Sequence, residues 1–147
     1  MKKTVLFLMI AFASIGSYAQ NSEIFSNDEG AIKGYDPVAY FKEGKPVKGN
    51  TNYVYRWREA DWHFSKKENL DAFKSAPEKF APQYGGYCAY GTSQGYKAET
   101  APDAWTVANG KLYLNYNTEV KTMWAKDQKA FIEKADANWP KIKSKEQ

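Results

Sequence analysis

The chain contains a single cysteine, Cys88, and a single histidine, His63. Thiolate sulfur and imidazole nitrogen both bind copper and zinc, so these two side chains are the first candidates for a metal site. The candidates for a further ligand are Asp36 and three tyrosines, Tyr35, Tyr84 and Tyr87. Two soft ligands alone make a weak site. The alternative is therefore that Cys88 packs as an inert thiol and that His63 is a half-buried structural residue.

Cys88 is also a candidate nucleophile. It follows Gly85 and Gly86 at the start of a predicted helix, where the helix dipole lowers the pKa of a thiol. His63 would then act as the base. However, the chain has no CxxC motif and nothing that resembles a protease or thioltransferase signature. The sequence therefore favours a non-catalytic protein over a thiol enzyme.

Aromatic residues make up 16% of the chain, with 11 Tyr, 8 Phe and 5 Trp. Such side chains either fill the core of a small domain or line a binding pocket. The first candidates for a pocket are Tyr35, Tyr84, Tyr87 and Trp62, and the further ones are Tyr40, Tyr90, Trp57 and Trp105. A binding module for a small molecule or a protein partner, without any metal, is the alternative to the metal site. For most of these residues the core is the expected place.

The N-terminus has the pattern of a secretory signal peptide. Lys2 and Lys3 precede an almost wholly apolar run over residues 5–15, which is too short to span a bilayer. Ser17 and Ala19 form a small-x-Ala cleavage box, so we predict a signal peptide over residues 1–19 with cleavage after Ala19. The mature protein is expected to be periplasmic or secreted, with no later membrane span. In that oxidising compartment Cys88 has no partner for an internal disulfide.

The charge of the mature chain argues against nucleic acid as a partner. Without Lys2 and Lys3, 19 basic residues are mixed with 17 acidic ones, which leaves a net charge of +2. Nucleic-acid-binding proteins carry a clustered basic surface, and this chain has no such cluster. A metal ion or a periplasmic protein remains as the expected kind of partner.

The first half of the mature chain predicts a hairpin between two helices. Residues 20–31 are polar without periodicity and predict a flexible lead-in, and Asp36 with Pro37 begins a short helix over residues 38–41. Residues 53–57 and 62–64 predict two strands joined by a turn. Ser65 followed by Glu68 fits a capping box, which predicts a helix over residues 66–75 with Leu70 and Phe73 on its buried face.

The second half predicts a second hairpin and a long helix. Residues 87–93 predict a short helix after the Gly-Gly turn, and Asn109 with Gly110 joins strands over residues 105–108 and 111–116. Asn117 or Thr118 caps a helix over residues 119–138, which Pro140 ends before a basic tail at residues 141–147. The predicted fold class is α+β: two antiparallel hairpins packed with a short central helix and a long C-terminal helix.

Several segments of the chain resemble the YHS-domain family. The resemblance lies in residues 35–41, residues 62–65 with Glu68, Asn69 and Phe73, residues 77–89, the hairpin at 110–115 and the closing residues 137–140. Trp62, His63 and Ser65 stand nearest to the Tyr-His-Ser signature of the family. The resemblance implies a YHS domain over residues 32–140 with a treble-clef-like core.

The resemblance also bears on function. YHS domains are similar to small metal-associated modules, and some sit on copper-transporting ATPases, where clustered cysteines suit a soft metal. This chain departs from that pattern because it has one cysteine. The family fold implies that the hairpin bearing His63 lies beside the Gly-Gly turn. The expected function is thus an exported, non-catalytic module that binds copper or zinc through Cys88 and His63, with the metal-free binding module as the alternative.

Overall fold

A computed structural model describes residues 22–146 and has a mixed α+β architecture. Three two-stranded antiparallel sheets pair β1 with β2, β3 with β4 and β5 with β6 in this part of the chain. The strands are β1 (Ser26–Asn27), β2 (Gly30–Ala31), β3 (Asn50–Trp57), β4 (Ala60–Phe64), β5 (Trp105–Ala108) and β6 (Lys111–Leu114). The helices are α1 (Pro37–Lys42), α2 (Lys67–Ser75), α3 (Pro77–Phe80), α4 (Ala89–Ser93), α5 (Thr118–Ala125) and α6 (Gln128–Ile142). The predicted α+β class and the long C-terminal helix are confirmed.

The predicted flexible lead-in is packed onto the domain over residues 22–31. Ile24 and Phe25 are buried, with 2% and 5% of their surface exposed. The backbone N–H of Phe25 donates to the carbonyl of Gly85 at 2.9 Å, which ties the segment to the middle of the chain. The polar residues that suggested disorder instead form the exposed side of the β1–β2 hairpin. The predicted signal peptide, residues 1–19, lies outside the described residues.

The first predicted hairpin is confirmed, with a tighter turn than expected. In the β3–β4 pair, Trp57 faces Ala60, so the turn contains only Arg58 and Glu59. Both turn residues have positive φ, at 50° and 61°. This is the backbone that a two-residue turn needs to match the twist of its strands. The turn carries the side chain of Arg58 to one end of the sheet.

The second hairpin follows the predicted pattern at its turn. Asn109 and Gly110 have φ values of 51° and 73° and connect β5 to β6. Leu112 and Leu114 are buried in the main core, while Tyr113 packs into a second cluster with Trp124. Strand β6 ends at Leu114, two residues earlier than predicted.

The predicted single C-terminal helix consists of two helices. Asn117 caps α5 as expected, since its side-chain oxygen accepts from the N–H of Val120 at 2.8 Å. The helix is interrupted before α6 at Asp127, whose φ of −146° and ψ of 58° are not helical. Pro140 does not end α6, which continues to Ile142. Ile142 is 5% exposed, so its burial stabilises the last turn although the proline removes one backbone donor.

The core has two clusters of buried side chains. The larger lies between the two long hairpins and α1–α3 and centres on aromatic rings in tilted contacts, among them Trp62, Phe64 and Phe73. The smaller contains Tyr84, Tyr113, Trp124 and Ala135 and lies under α4–α6. Within residues 22–146 no helix combines the length and the apolar character needed to cross a bilayer.

Candidate functional site

The predicted three-ligand metal centre is not assembled. Among residues 22–146, no three His, Cys, Asp or Glu side chains are grouped so that they could hold one metal ion. The set of Cys88, His63 and Asp36 is therefore corrected by the structure. The three side chains have different surroundings, and the contacts of each side chain account for its position in the fold.

Asp36 is fully buried and its carboxylate holds three segments of the fold together. Its Oδ1 accepts from the N–H groups of Val38 and Ala39, at 2.9 and 3.3 Å, and so caps α1 as predicted. Its Oδ2 accepts from the Ser65 N–H, the Ser65 hydroxyl and the Asn69 amide, each at 2.8 Å. With five donors already bound, the carboxylate stabilises the fold and has little capacity for a metal ion.

The predicted role of Ser65 as a helix cap is wrong. The N-cap of α2 is Lys66, which makes no side-chain capping bond. The Ser65 hydroxyl points to Asp36 instead, because a buried carboxylate needs donors more than an exposed helix end needs an acceptor. Ser65 therefore serves a contact with a residue 29 positions away in the chain.

Cys88 is a buried thiol with its hydrogen bonds largely satisfied. It is 2% exposed, and its sulfur accepts from the N–H groups of Gly91 and Tyr116, at 3.4 and 3.3 Å. Burial raises the pKa of Cys88, although these N–H groups act in the opposite direction. The hypothesis that a lowered pKa activates the Cys88 thiol is therefore wrong, because the pKa is raised.

His63 and Cys88 line separate cavities. The His63 ring lies against the backbone of Gly30 and beside a shallow cavity of about 200 Å³ that also contains Asp61. Cys88 lines an apolar cavity of about 260 Å³ with Tyr96 and Tyr116. This arrangement gives Cys88 no histidine base in its own cavity. Binding of copper or zinc by these two residues alone stays a prediction.

Of the four aromatic residues first predicted for a ligand pocket, one lines a cavity that also contains several charged side chains. Trp62 is fully buried, and its indole N–H donates to the carbonyl of Trp57 at 3.1 Å. Tyr87 is 1% exposed, and Tyr35 is half-buried with the Lys48 ammonium 5.0 Å from its ring centre. Tyr84 alone of the four lines this cavity.

That cavity, which we call the main cleft, has a volume of about 440 Å³. Its aromatic wall consists of Trp57, Tyr84 and Trp139, and its charged side chains are Glu23, Arg58, Glu78, Lys111 and Asp136. These residues come from the N-terminal segment, both hairpins, α3, the turn after it and α6. Pockets of this size, partly apolar with a few charged groups, are typical of small-molecule sites.

A strained turn places Tyr84 in the main cleft. Tyr84 and Gly85 both have positive φ, at 57° and 62°. A Cβ atom at Gly85 would collide with the backbone carbonyl of Glu23, so the N-terminal segment can approach only a glycine here. A left-handed tyrosine costs about 1 kcal/mol, and such strain is concentrated at functional sites.

Tyr84 in turn orients Asp136. The phenol of Tyr84 donates to the Asp136 Oδ1 at 2.8 Å. Burial, and then this hydrogen bond, raise the pKa of Tyr84, so the phenol stays protonated as the donor. The second carboxylate oxygen of Asp136 has no hydrogen bond or ion pair within the described chain.

The charges in the main cleft divide into paired and unpaired ones. Arg58 forms an ion pair with Glu78 at 2.9 Å, and its guanidinium lies 4.4 Å from the ring centre of Trp57. Lys111 and Asp136 make no ion pair within residues 22–146. The main cleft therefore offers one positive and one negative group to a ligand.

Several residues of the main cleft were not predicted. Asp136, Trp139 and Pro140 stand at i, i+3 and i+4, a spacing that puts them on one face of α6. That spacing is the sequence signal for this face of the cleft. It is hidden because Pro140 predicts the end of the helix. Arg58 lies in the first hairpin turn and Lys111 directly follows the second, and a charged residue is so common at such positions that it does not indicate a binding site.

Comparisons with known proteins add no relative. No family model matches the chain, and neither the curated proteins nor the solved structures contain a significant match. The functional argument therefore depends on the geometry of the main cleft and on the sequence itself.

Proposed function

We propose that this chain is an exported, non-catalytic module of the YHS type that binds a small molecule in the main cleft. The observation that carries the proposal is the cavity of about 440 Å³ with three aromatic side chains and two unpaired charges. The resemblance of residues 34–140 to YHS domains, with a treble-clef-like core, is part of this proposal. So is the periplasmic location, which rests on the signal-peptide pattern of residues 1–19.

Binding in the main cleft is better supported than a metal site. A copper or zinc site needs three or four converging ligands, whereas Asp36 is saturated by five donors and His63 lies away from the cavity of Cys88. In the main cleft, Asp136 keeps one carboxylate oxygen without a partner among residues 22–146, and it lies with a phenol and an indole rather than with thiols.

Binding is also better supported than thiol catalysis. A nucleophilic cysteine needs an accessible thiolate and an adjacent base. Cys88 is 2% exposed, its pKa is raised by burial, and the histidine of the chain lines another cavity. The geometry around Cys88 is that of a packed residue at the start of α4. Its sulfur accepts from the N–H of Tyr116 and so connects α4 to the segment after β6.

A thermal-shift screen tests the proposal on protein secreted to the periplasm of an expressing bacterium. The intact mass of that protein should correspond to a chain that begins at Gln20. The probes are free amino acids, dipeptides, monosaccharides, nucleosides and small carboxylic acids, each at millimolar concentration. We expect at least one class to raise Tm, because a ligand that binds only the folded state stabilises it.

The screen needs a variant in which the main cleft is filled. Gln83 lines the main cleft and makes no side-chain hydrogen bond within residues 22–146, so Gln83→Trp should fill the cavity without breaking such a bond. Glu78→Trp, on the exposed face of α3, is a second filling variant, and Asn52→Trp on β3 is the control. Both filling variants should lose the thermal shift and the control should keep it. A shift that survives both fillings, or no shift for any probe class, overturns the proposal.

A further inference from the structure

The unpaired charges of the main cleft belong to two different elements of the fold. Lys111 follows the β5–β6 turn as the first residue of β6, and Asp136 lies in the middle of α6. Both side chains line the same cavity. The other charged groups there have partners: Arg58 pairs with Glu78, and Glu23 lies 3.7 Å from Lys143. The available charges are therefore one ammonium and one carboxylate.

Aromatic side chains line the main cleft together with these charges. Trp57, Tyr84 and Trp139 line the same cavity, and Tyr84 and Trp139 have ring centres 6.2 Å apart in an edge-on contact. The phenol of Tyr84 holds Oδ1 of Asp136 and leaves Oδ2 to accept from a ligand. A bound molecule would therefore meet a carboxylate, an apolar surface and an ammonium within one cavity.

From this arrangement we infer that the ligand is a zwitterion with an apolar middle, of the class of free amino acids and short unblocked peptides. The inference rests on the proposed function and specifies the ligand of the same cleft. The ligand's ammonium would bind Asp136, its carboxylate would bind Lys111, and its side chain would contact the aromatic wall. A cavity of about 440 Å³ has room for a dipeptide.

A ligand with only one charge leaves either Lys111 or Asp136 without a partner of opposite charge. Because Lys111 and Asp136 are solvent-exposed in the free protein, each charged contact contributes modestly. Loss of one contact should weaken binding by about two- to fivefold, and loss of both by about tenfold. Effects of this size can be measured when the probes differ in nothing except their charges.

The test uses four forms of phenylalanylglycine: the free dipeptide, its N-acetyl form, its C-terminal amide and the form blocked at both ends. Isothermal titration calorimetry with the mature protein gives Kd for each. We expect the free dipeptide to bind most tightly, each single block to weaken binding by about two- to fivefold, and the double block to weaken it most.

Two variants assign the charges to the ends of the ligand. Lys111→Met should remove the preference for a free carboxylate and keep the preference for a free amine. Asp136→Asn should do the reverse, and it keeps an oxygen that can accept from Tyr84. The matched controls on the exposed surface of α6 are Lys129→Met and Glu133→Gln, which lie outside the main cleft and should change neither preference.

The possible failures can be distinguished. If all four forms bind wild type equally and Gln83→Trp abolishes this binding, the zwitterion inference is overturned while the proposed function stands. If none of the four forms binds, the inference is overturned, and the thermal-shift screen decides the proposed function separately. If binding survives Gln83→Trp and Glu78→Trp, the main cleft is not the site and both proposals are wrong.

Discussion

Asp36 and Asp136 each accept a hydrogen bond from a hydroxyl group, but the rest of their surroundings differ. Asp36 is fully buried and accepts from five donors of three chain segments. Asp136 is exposed and, within residues 22–146, accepts only from the Tyr84 phenol. The first carboxylate is occupied by the fold, while the second keeps an oxygen for another molecule.

Two lysines show the same contrast. The half-buried Lys97 ammonium donates to the carbonyls of Ser22, Lys143 and Lys145, at 3.1, 3.0 and 2.6 Å, and lies 4.8 Å from the ring centre of Tyr87. Lys111 is exposed and makes no ion pair within residues 22–146. The number of hydrogen bonds that a charged group already makes thus separates structural groups from candidate binding groups.

The largest effect should come from Asp36. In Asp36→Ala the N–H groups of Val38, Ala39 and Ser65 lose their acceptor inside the protein, so we expect the free energy of unfolding to fall by about 3–5 kcal/mol. Asp36→Asn should cost less, because one oxygen remains for α1. Urea denaturation followed by circular dichroism measures both.

The matched control for this prediction is Asp136→Asn, which should change the free energy of unfolding by less than about 0.5 kcal/mol. If Asp36→Ala is no more destabilising than this control, then hydrogen-bond saturation does not distinguish the two carboxylates and the comparison fails.

The next effect concerns Cys88, which resembles Asp36 in being buried with N–H donors around it. Its pKa is raised, so the protein keeps it as a thiol to a higher pH than an unfolded chain does. We expect iodoacetamide to alkylate native protein at least about tenfold more slowly than urea-unfolded protein at pH 8, since the thiolate is the reactive form. The midpoint of the pH profile should lie higher in native protein.

The sign of the linked stability follows from the same shift. Where the unfolded chain has lost the Cys88 proton and the folded chain retains it, raising the pH lowers the free energy of unfolding. The stabilisation linked to the Cys88 proton is fully present below the pKa of the unfolded chain. It is lost as the pH rises through the pKa of the folded protein. Rapid alkylation of native protein with an ordinary midpoint would instead make Cys88 an open, reactive group and revive the catalytic hypothesis.

The smallest effect is expected for Lys97. Lys97→Met keeps the aliphatic contact with Tyr87 but removes the donors to the two ends of the described chain. Because the ammonium is only partly buried, the loss should be about 1 kcal/mol of unfolding free energy. Lys111→Met is the control and should have no measurable effect on Tm. Equal Tm values for the two variants would show that Lys97 does not connect the chain ends.

Local patterns in the sequence predicted much of the secondary structure. Asp36 with Pro37 marks the start of α1, and Asn109 with Gly110 marks the second hairpin turn. Asn117 marks the start of α5. Each of these signals depends on atoms within three residues of one another, so the surrounding fold has little influence on them.

The same local rules failed where a distant contact was stronger. Ser65 matches a capping box but bonds to Asp36, and Pro140 matches a helix stop although α6 continues to the buried Ile142. Residues 22–31 match a disordered segment, yet Ile24 and Phe25 are in the core. In each case burial of a side chain outweighs a local preference of about 1–3 kcal/mol.

The sequence by itself determined the α+β class, both hairpins, the second hairpin turn and the residue types available for chemistry. Only the tertiary structure decided which of those residues are free to bind. Asp36, Cys88 and Trp62 were reasonable candidates, but burial and hydrogen bonds use them within the fold. The main cleft draws on six parts of the chain, and such an assembly depends on long-range packing that no local pattern encodes.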